Sequence, residues 1–348
     1  MAKKKSSSIV IVILVVILLA IVAAGGYYVY NSVSNDINGR AQKDAPYTLV
    51  IEKNDSEYEV SQKLYNNKIV ISDALWSDWM NKNYKDFEYI CGEYNLNANM
   101  SYEALAEKLK NPDVSHKSVK VCIPEGYNVM DISKKLEKSK VCTADSFLEV
   151  CKSTEGFEYD WLSEVPDNPL IAFKLEGFLF PATYELQENS DPKDVAEEML
   201  EAFDNHLTQD MRDFCDKHNM TLYEFITLVS VVQEEAFGNE SAGNITSVFM
   251  NRLKKGSKLQ SDVTYFYAAK LRDELGFSQE VYDAYYTYKC PALPVGPITN
   301  SGDAIVNAAV NYPETDYYFF FSDLKKKFHF AKNYDEFMQL QKKYPWKE

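Results

Sequence analysis

Residues 221–240 read TLYEFITLVSVVQEEAFGNE, an apolar run closed by two adjacent carboxylates. Thr221 followed three residues later by Glu224 forms a capping box, and Gly238 supplies a stop, so the spacing predicts a helix over 222–237. At about 100° per residue, Leu222, Phe225, Ile226, Leu228, Val229, Val231, Val232 and Ala236 fall in one broad stripe. Tyr223, Thr227, Ser230 and Glu234 fall opposite. Glu234 is therefore expected in solvent, whereas Glu235 lies about 20° from Leu228 and about 40° from Val231, at the edge of the buried stripe. A carboxyl held against apolar groups is costly to ionise, so its pKa rises, and a Glu that stays protonated near neutral pH can serve as a general acid. Glu235 is the candidate catalytic residue. The plainer reading is a boundary Glu bonded to a loop or to Arg252.

Outward from this helix, the 348-residue chain has room for a membrane anchor and two folded units. It opens with MAKKKSSS, and the run from Ile9 to Tyr30 carries no charge. At about 1.5 Å per residue that run covers a hydrocarbon core of about 30 Å, which predicts a transmembrane helix over 9–30 after a short tail, 1–8. It exceeds the roughly 7–15 residues of a cleaved signal's apolar core. Lys3, Lys4 and Lys5 precede it while Asp36 and Asp44 follow, so the positive-inside rule puts the tail in the cytoplasm and the rest outside a plasma membrane. Residues 31–46 are polar and aperiodic and read as a stalk.

The net charge of −15, with no basic cluster beyond the tail, argues against nucleic acid as a partner. Twenty-five Tyr suit stacking on sugar rings and equally suit an ordinary core. Cys91, Cys122, Cys142, Cys151, Cys215 and Cys290 show no CxxC and no Cys/His cluster, so neither a metal nor a cofactor is expected. Disulfides and buried thiols both remain open.

A repeat sits between the stalk and the apolar helix. LVIEKNDSEYEVSQKLYNNKIVISDALW from Leu49 aligns with VCIPEGYNVMDISKKLEKSKVCTADSFL from Val121 at a spacing of about 72 residues. Val60-Ser61-Gln62-Lys63-Leu64 matches Ile132-Ser133-Lys134-Lys135-Leu136, and Asp73 matches Asp145. Each copy reads as a short strand, an amphipathic helix and a second helix starting near the Asp. The first copy closes with a strand over 89–96 and a helix capped by Ser101. The expected fold class is α+β. Its parts are a small module over 47–115, resembling a LysM-like unit of the kind associated with N-acetylglucosamine polymers, and a larger catalytic domain over 116–348 with the second copy at 118–152. The family resemblance carried by the phrases beyond Ala172 implies that in that domain a Glu-bearing helix lines a glycan cleft.

Beyond Ala172 the phrases become specific. LEGFLFPATYEL, LVSVVQEEAFGNE, SVFMNRLKKGSKLQSDVTYFY and YYTYKCPALPVGPITNSGDAIVNAAVNY, in that order, resemble the signature segments of the YceG-like endolytic murein transglycosylases, the MltG family. With the anchor and the LysM-like module, the resemblance spans Ile9 to about Phe337. It implies an enzyme without a cofactor that acts on peptidoglycan strands and ends their elongation by leaving 1,6-anhydro-N-acetylmuramic acid. The partners implied are glycan strands and, with them, cell-wall synthesis proteins such as penicillin-binding proteins. The family's helix ends in a Glu-Lys-Glu run whose last Glu is the acid, and that position is Glu235, the residue the helix period selects. Asp262 with Gln260 reads as a positioning pair, although a turn Asp in KLQSDVT is an equal alternative. Asn251, Tyr184 and Tyr288 are candidate sugar contacts, Arg252 is expected to pair with Glu176, and Glu176 joins the candidate substrate-binding set. Pro294, Gly296 and Pro297 are expected to shape a cleft wall. Ala182, Val263, Val295 and Ser301 depart from the family pattern. A glycan-binding scaffold without activity, and a hydrolase with a second essential carboxylate, are the competing readings.

Overall fold

Helix α1 (Lys3–Ile37) opens the computed structural model, which describes residues 3–52, 55–85, 87–236 and 239–346 and divides into two units, 1–118 and 119–348. Within it, Val10–Ile37 is long and apolar enough to cross a membrane. The helix runs through the first seven residues of the stretch expected as a stalk, and its end is held by the first unit. Asp36 is buried and accepts hydrogen bonds from the Ile71 N–H at 3.1 Å and from the Tyr102 hydroxyl. Ile37 packs on the same core. Local sequence carries no helix signal here because these tertiary contacts supply it.

The first unit continues with β1 (Pro46–Ile51), α2 (Glu57–Asn66), α3 (Asp73–Asn83), β2 (Gly92–Asn97), α4 (Tyr102–Lys108) and β3 (Val114–Ser115). β1 and β2 pair antiparallel, with Leu49 opposite Tyr94, and β3 adds at the other edge of β2. Leu49 and Ile51 alternate inward, as period two demands, onto Trp76, Tyr94 and Tyr102.

The second unit begins with the same order: β4 (Ser118–Cys122), α5 (Val129–Lys138), α6 (Ala144–Cys151) and β5 (Thr183–Gln187), the two strands again paired. The 72-residue repeat is thus structural. Val60 and Ile132 are buried equivalents, as are Leu64 and Leu136. Ser61 and Ser133 each donate to the carbonyl three residues back, at 2.7 and 2.9 Å. Lys68 and Lys140 both turn the chain at φ 60°, after which Ile69 and Val141 donate to Leu64 and Leu136. Only the next helix slips, capped by Ser72 in one copy and Thr143 in the other, one residue off the spacing.

Between α6 and β5 the second copy carries a 3-10 turn (Asp160–Glu164) and the LEGFLFP phrase. After it come α7 (Pro192–His206), α8 (Gln209–His218), α9 (Leu222–Glu235), α10 (Asn239–Lys254), α11 (Asp262–Leu275), α12 (Gln279–Tyr285) and α13 (Asp303–Val310). A hairpin of β6 (Phe319–Ser322) and β7 (Phe328–Ala331) follows, then α14 (Tyr334–Lys343). His329 in the hairpin is packed and bonded to Asp323 at 2.9 Å. The six cysteines are free thiols.

α9 differs from its expected one-sided burial. Apart from the exposed capping residue Glu224, the residues from Leu222 to Val232 are buried, including Tyr223, Thr227 and Ser230 of the polar face. Between its first and last turns the helix is enclosed by α8, α10, α11 and α13, and its hydroxyls find partners inside: Thr227 donates to the Tyr223 carbonyl and Ser230 accepts from the Ile298 N–H. The capping box of Thr221 and Glu224 forms as expected. The helix ends at Glu235, with Ala236 already extended. Phe237 and Gly238, the expected last turn and stop, lie outside the described residues.

Candidate active site

The last turn of α9 leaves the core with Glu234 exposed and Glu235 half-buried. Burial raises Glu235 above the ordinary carboxylate range, and the neighbouring charges of Asp262 and Glu234 add to it. A hydrogen bond from the Ser261 hydroxyl at 2.5 Å and the Arg252 charge pull the other way. The result is a carboxyl with a raised affinity for its proton that still accepts one strong bond.

Ser261 is held by two threonines. Its N–H donates to Thr287 Oγ1 at 2.9 Å, and its carbonyl accepts from Thr264 Oγ1 at 2.7 Å and Thr287 Oγ1 at 3.3 Å. The two threonine hydroxyls lie 2.9 Å apart, and all three residues are buried. Thus the QSDVT and TYK phrases meet behind the bond to Glu235. Sequence reading named Gln260 and Asp262 and missed Ser261 between them. The sequence signal was a Ser directly ahead of a helix, at its N-cap position; its burial and its partners are visible only in the structure. Gln260 itself is exposed and turns the chain at φ 49°, and Asp262 opens α11 in solvent beside Tyr288. Burial first, then the Asp262 carboxylate, raises the Tyr288 phenol to about 12.

Glu234 faces a different wall. The backbone of Gly126 approaches closely enough that a Cβ there would lie 3.2 Å from Glu234 Oε1. Crowding by protein raises its pKa, opposed by Thr299 and by the Lys270 charge. One residue earlier, Gln233 Oε1 accepts from the Gly302 N–H at 3.2 Å, which ties the ITNSG phrase to the same turn.

Three expected ligand contacts are placed elsewhere. Glu176 is fully buried, accepting from the Val129 N–H at the head of α5, from Tyr267 Oη at 3.1 Å and from Asn300 Nδ2 at 3.0 Å. Burial outweighs those bonds and pushes it to about 8. It joins the LEG phrase to the ITN phrase and has no surface to offer a sugar. Tyr184 is also buried, its hydroxyl donating to the Phe180 carbonyl. Asn251 spends both amide hydrogens on the carbonyls of Thr315 and Tyr317, at 2.8 and 2.9 Å. The expected Arg252–Glu176 pair does not form. Arg252 donates to the carbonyls of Tyr318 and Leu259 and lies 5.3 Å over the Phe319 ring, so it anchors the hairpin and the loop leading to Ser261.

Gly177 completes the packing of the LEG phrase. Its φ is +89°, and a Cβ would lie 2.7 Å from both Ile226 of α9 and Pro297. Pro294 lines a cavity of about 940 Å³ near Tyr223, Thr227 and Lys254, about 12–18 Å along α9 from Glu235, so Pro294 borders a different hollow. Val295, where the family pattern has Pro, uses its N–H on the Ala284 carbonyl at 3.0 Å, a bond that Pro could not make. Among the described residues no group of His, Cys, Asp and Glu could hold a metal ion.

The family profile described as YceG-like matches residues 49–343, most of the chain and all of the site. The chain belongs to the YceG-like family. The endolytic murein transglycosylase of Bacillus subtilis (strain 168) is 28% identical over 319 residues, covering 87% of this chain and 86% of that one. A protein of the same description from Streptococcus pneumoniae serotype 2 is 28% identical over 315 residues, and there the match spans 56% of the relative's length. A YceG-like protein of Listeria monocytogenes, solved by crystallography at 2.6 Å, shares 28% identity and a TM-score of 0.53 over 86% of this chain and 100% of its own. In this YceG-like chain the QSDVT, TYK and ITNSG phrases meet at the exit of α9, and the LEG phrase packs further back on the same helix.

Proposed function

We propose that the protein is an endolytic peptidoglycan lytic transglycosylase with Glu235 as its single acid–base group. The observation that carries this reading is a partly buried carboxyl of raised proton affinity, gripped by Ser261 at the open end of a core helix, in a family whose relatives bear that activity. Glu235 gives its proton to the glycosidic oxygen between N-acetylmuramic acid and N-acetylglucosamine. The C–O bond breaks, with its electron pair going to the leaving sugar. The 6-hydroxyl of the muramic residue then adds to its own anomeric carbon and returns a proton to Glu235. The product is a 1,6-anhydro ring, the acid is regenerated and no water is consumed. One carboxylate suffices, whereas a hydrolase needs two. Asp262 and Tyr288 border the reacting sugar, and Gln260 shapes the turn that aims Ser261.

The first module, whose strand–helix–helix–strand order supports the LysM-like reading, would hold the same glycan. The lysines before the apolar run favour a cytoplasmic tail with both units outside the plasma membrane, where newly made strands are cut and their growth ends. Mass spectrometry of purified glycan strands incubated with the full chain in detergent tests this. Internal fragments ending in 1,6-anhydro-muramic acid are expected from the wild type and from Glu234→Gln at most of its rate, and none from Glu235→Gln. Reducing ends would make the protein a hydrolase, and intact strands that remain bound would make it a scaffold.

A further inference from the structure

α11 presents more than Asp262 to solvent. At helical spacing, residues 262, 265 and 266 share one face, and there Tyr265 is 40% and Phe266 61% exposed. Two further rings continue the surface from the segment after α12: Tyr286, half-buried, and Tyr288, 39% exposed. The centroids run Tyr288 to Tyr286 at 5.2 Å, Tyr286 to Tyr265 at 5.6 Å and Tyr265 to Phe266 at 5.5 Å. Behind them the buried Tyr282 braces Tyr286 and Tyr265 at 5.7 and 6.2 Å and is itself covered by Arg272 at 4.5 Å.

One exposed Phe would be ordinary. A stepped shelf of rings in contact, backed by Tyr282 and starting at the residue beside Asp262, is a shaped surface: Tyr288 and Tyr286 are tilted by 34°, and Tyr286, Tyr265 and Phe266 meet edge to face at 63° and 72°. We propose that this shelf is a binding subsite for the run of sugars flanking the bond at Glu235, the sugars packing along Tyr288, Tyr286, Tyr265 and Phe266. It rests on the transglycosylase reading and extends it, because an enzyme that cuts inside a strand must hold sugars on both sides of the bond. The chemistry suits a neutral polysaccharide: ring faces offer C–H groups to aromatic faces, and the phenols offer hydrogen bonds at the rim. An anionic lipid surface suits it poorly, with Asp262, Asp273 and Asp283 on the same two helices and a net charge of −15.

The test uses the full chain in detergent and the Tyr265→Ala/Phe266→Ala double variant. Steady-state kinetics are taken on glycan strands graded by length, and strand binding is measured by calorimetry in the Glu235→Gln background. A rise in KM of about tenfold on long strands is expected, with the loss growing with strand length and falling on KM rather than kcat. Strand affinity of the inactive form should weaken by the same factor, and Phe266→Trp should bind at least as well as wild type. An unchanged KM and affinity would overturn the proposal, as would an equal fall in kcat at every length. If the wild type cuts nothing yet binds strands through these rings, the catalytic reading fails and the shelf stands.

Discussion

Ser261 bears on how Glu235 titrates, because its hydroxyl donates a hydrogen bond that favours the carboxylate over the acid, against the burial that favours the acid. Ser261→Ala removes that bond, so the Glu235 pKa should move further up. Activity that depends on a protonated acid is lost as pH rises through that pKa. The alkaline limb of the pH–rate profile should therefore shift to higher pH, by up to about one unit, while the maximal rate falls several-fold through loss of alignment. A profile that keeps its limb would remove Ser261 from the site. Glu176 makes the complementary prediction for stability. Its folded pKa of about 8 lies above that of an unfolded Glu, so the folded state holds the extra proton and stability declines as pH rises toward 8. Melting temperatures of wild type should fall across that range, and Glu176→Gln, which cannot ionise, should flatten the trend. The residue scale is also where sequence reading was least complete. Helical period and phrase agree on Glu235, which is why it stands out in the sequence as the proposed acid. Glu176, Tyr184 and Asn251 stand in motif phrases, where polar and aromatic residues look alike whether they face a sugar or, as here, a backbone group.

Among the elements, α9 shows why periodicity alone stops short. The apolar stripe is real, but Ser230 and Thr227 complete the core through internal hydrogen bonds, so a polar residue on the wheel did not mark a wet face. The paired strands and helices of the two repeats, by contrast, were readable to within a few residues, since strand alternation and capping residues are local signals. Long-range convergence has no such signal, and the meeting of Ser261 with Thr264 and Thr287 had to be seen in three dimensions. Gly177 belongs to this scale. A side chain there meets Ile226 and Pro297 at a backbone angle that suits glycine, so Gly177→Ala should cost on the order of 2 kcal/mol or more and lower the melting temperature by several degrees. A variant as stable as wild type would mean that the LEG phrase is loosely held.

For the whole molecule, the apolar N-terminal helix was evident from composition, and its continuation to Ile37 was not. Asp36 is the fastening, buried against Ile71 and Tyr102. Asp36→Ala should leave the Tyr102 hydroxyl and the Ile71 amide without partners and cost the first unit about 1–3 kcal/mol, measurable by hydrogen exchange at the amides of α4. Unaltered protection there would show the helix end to be merely resting on the module. Because α1 passes into that module with no flexible stretch before Ile37, the distance from the end of the apolar run at Tyr30 is about seven residues of helix, roughly 10 Å. A tether made of coil would let the module roam through a thick layer. A stiff post of that height instead fixes the module at one set distance from the end of the apolar run.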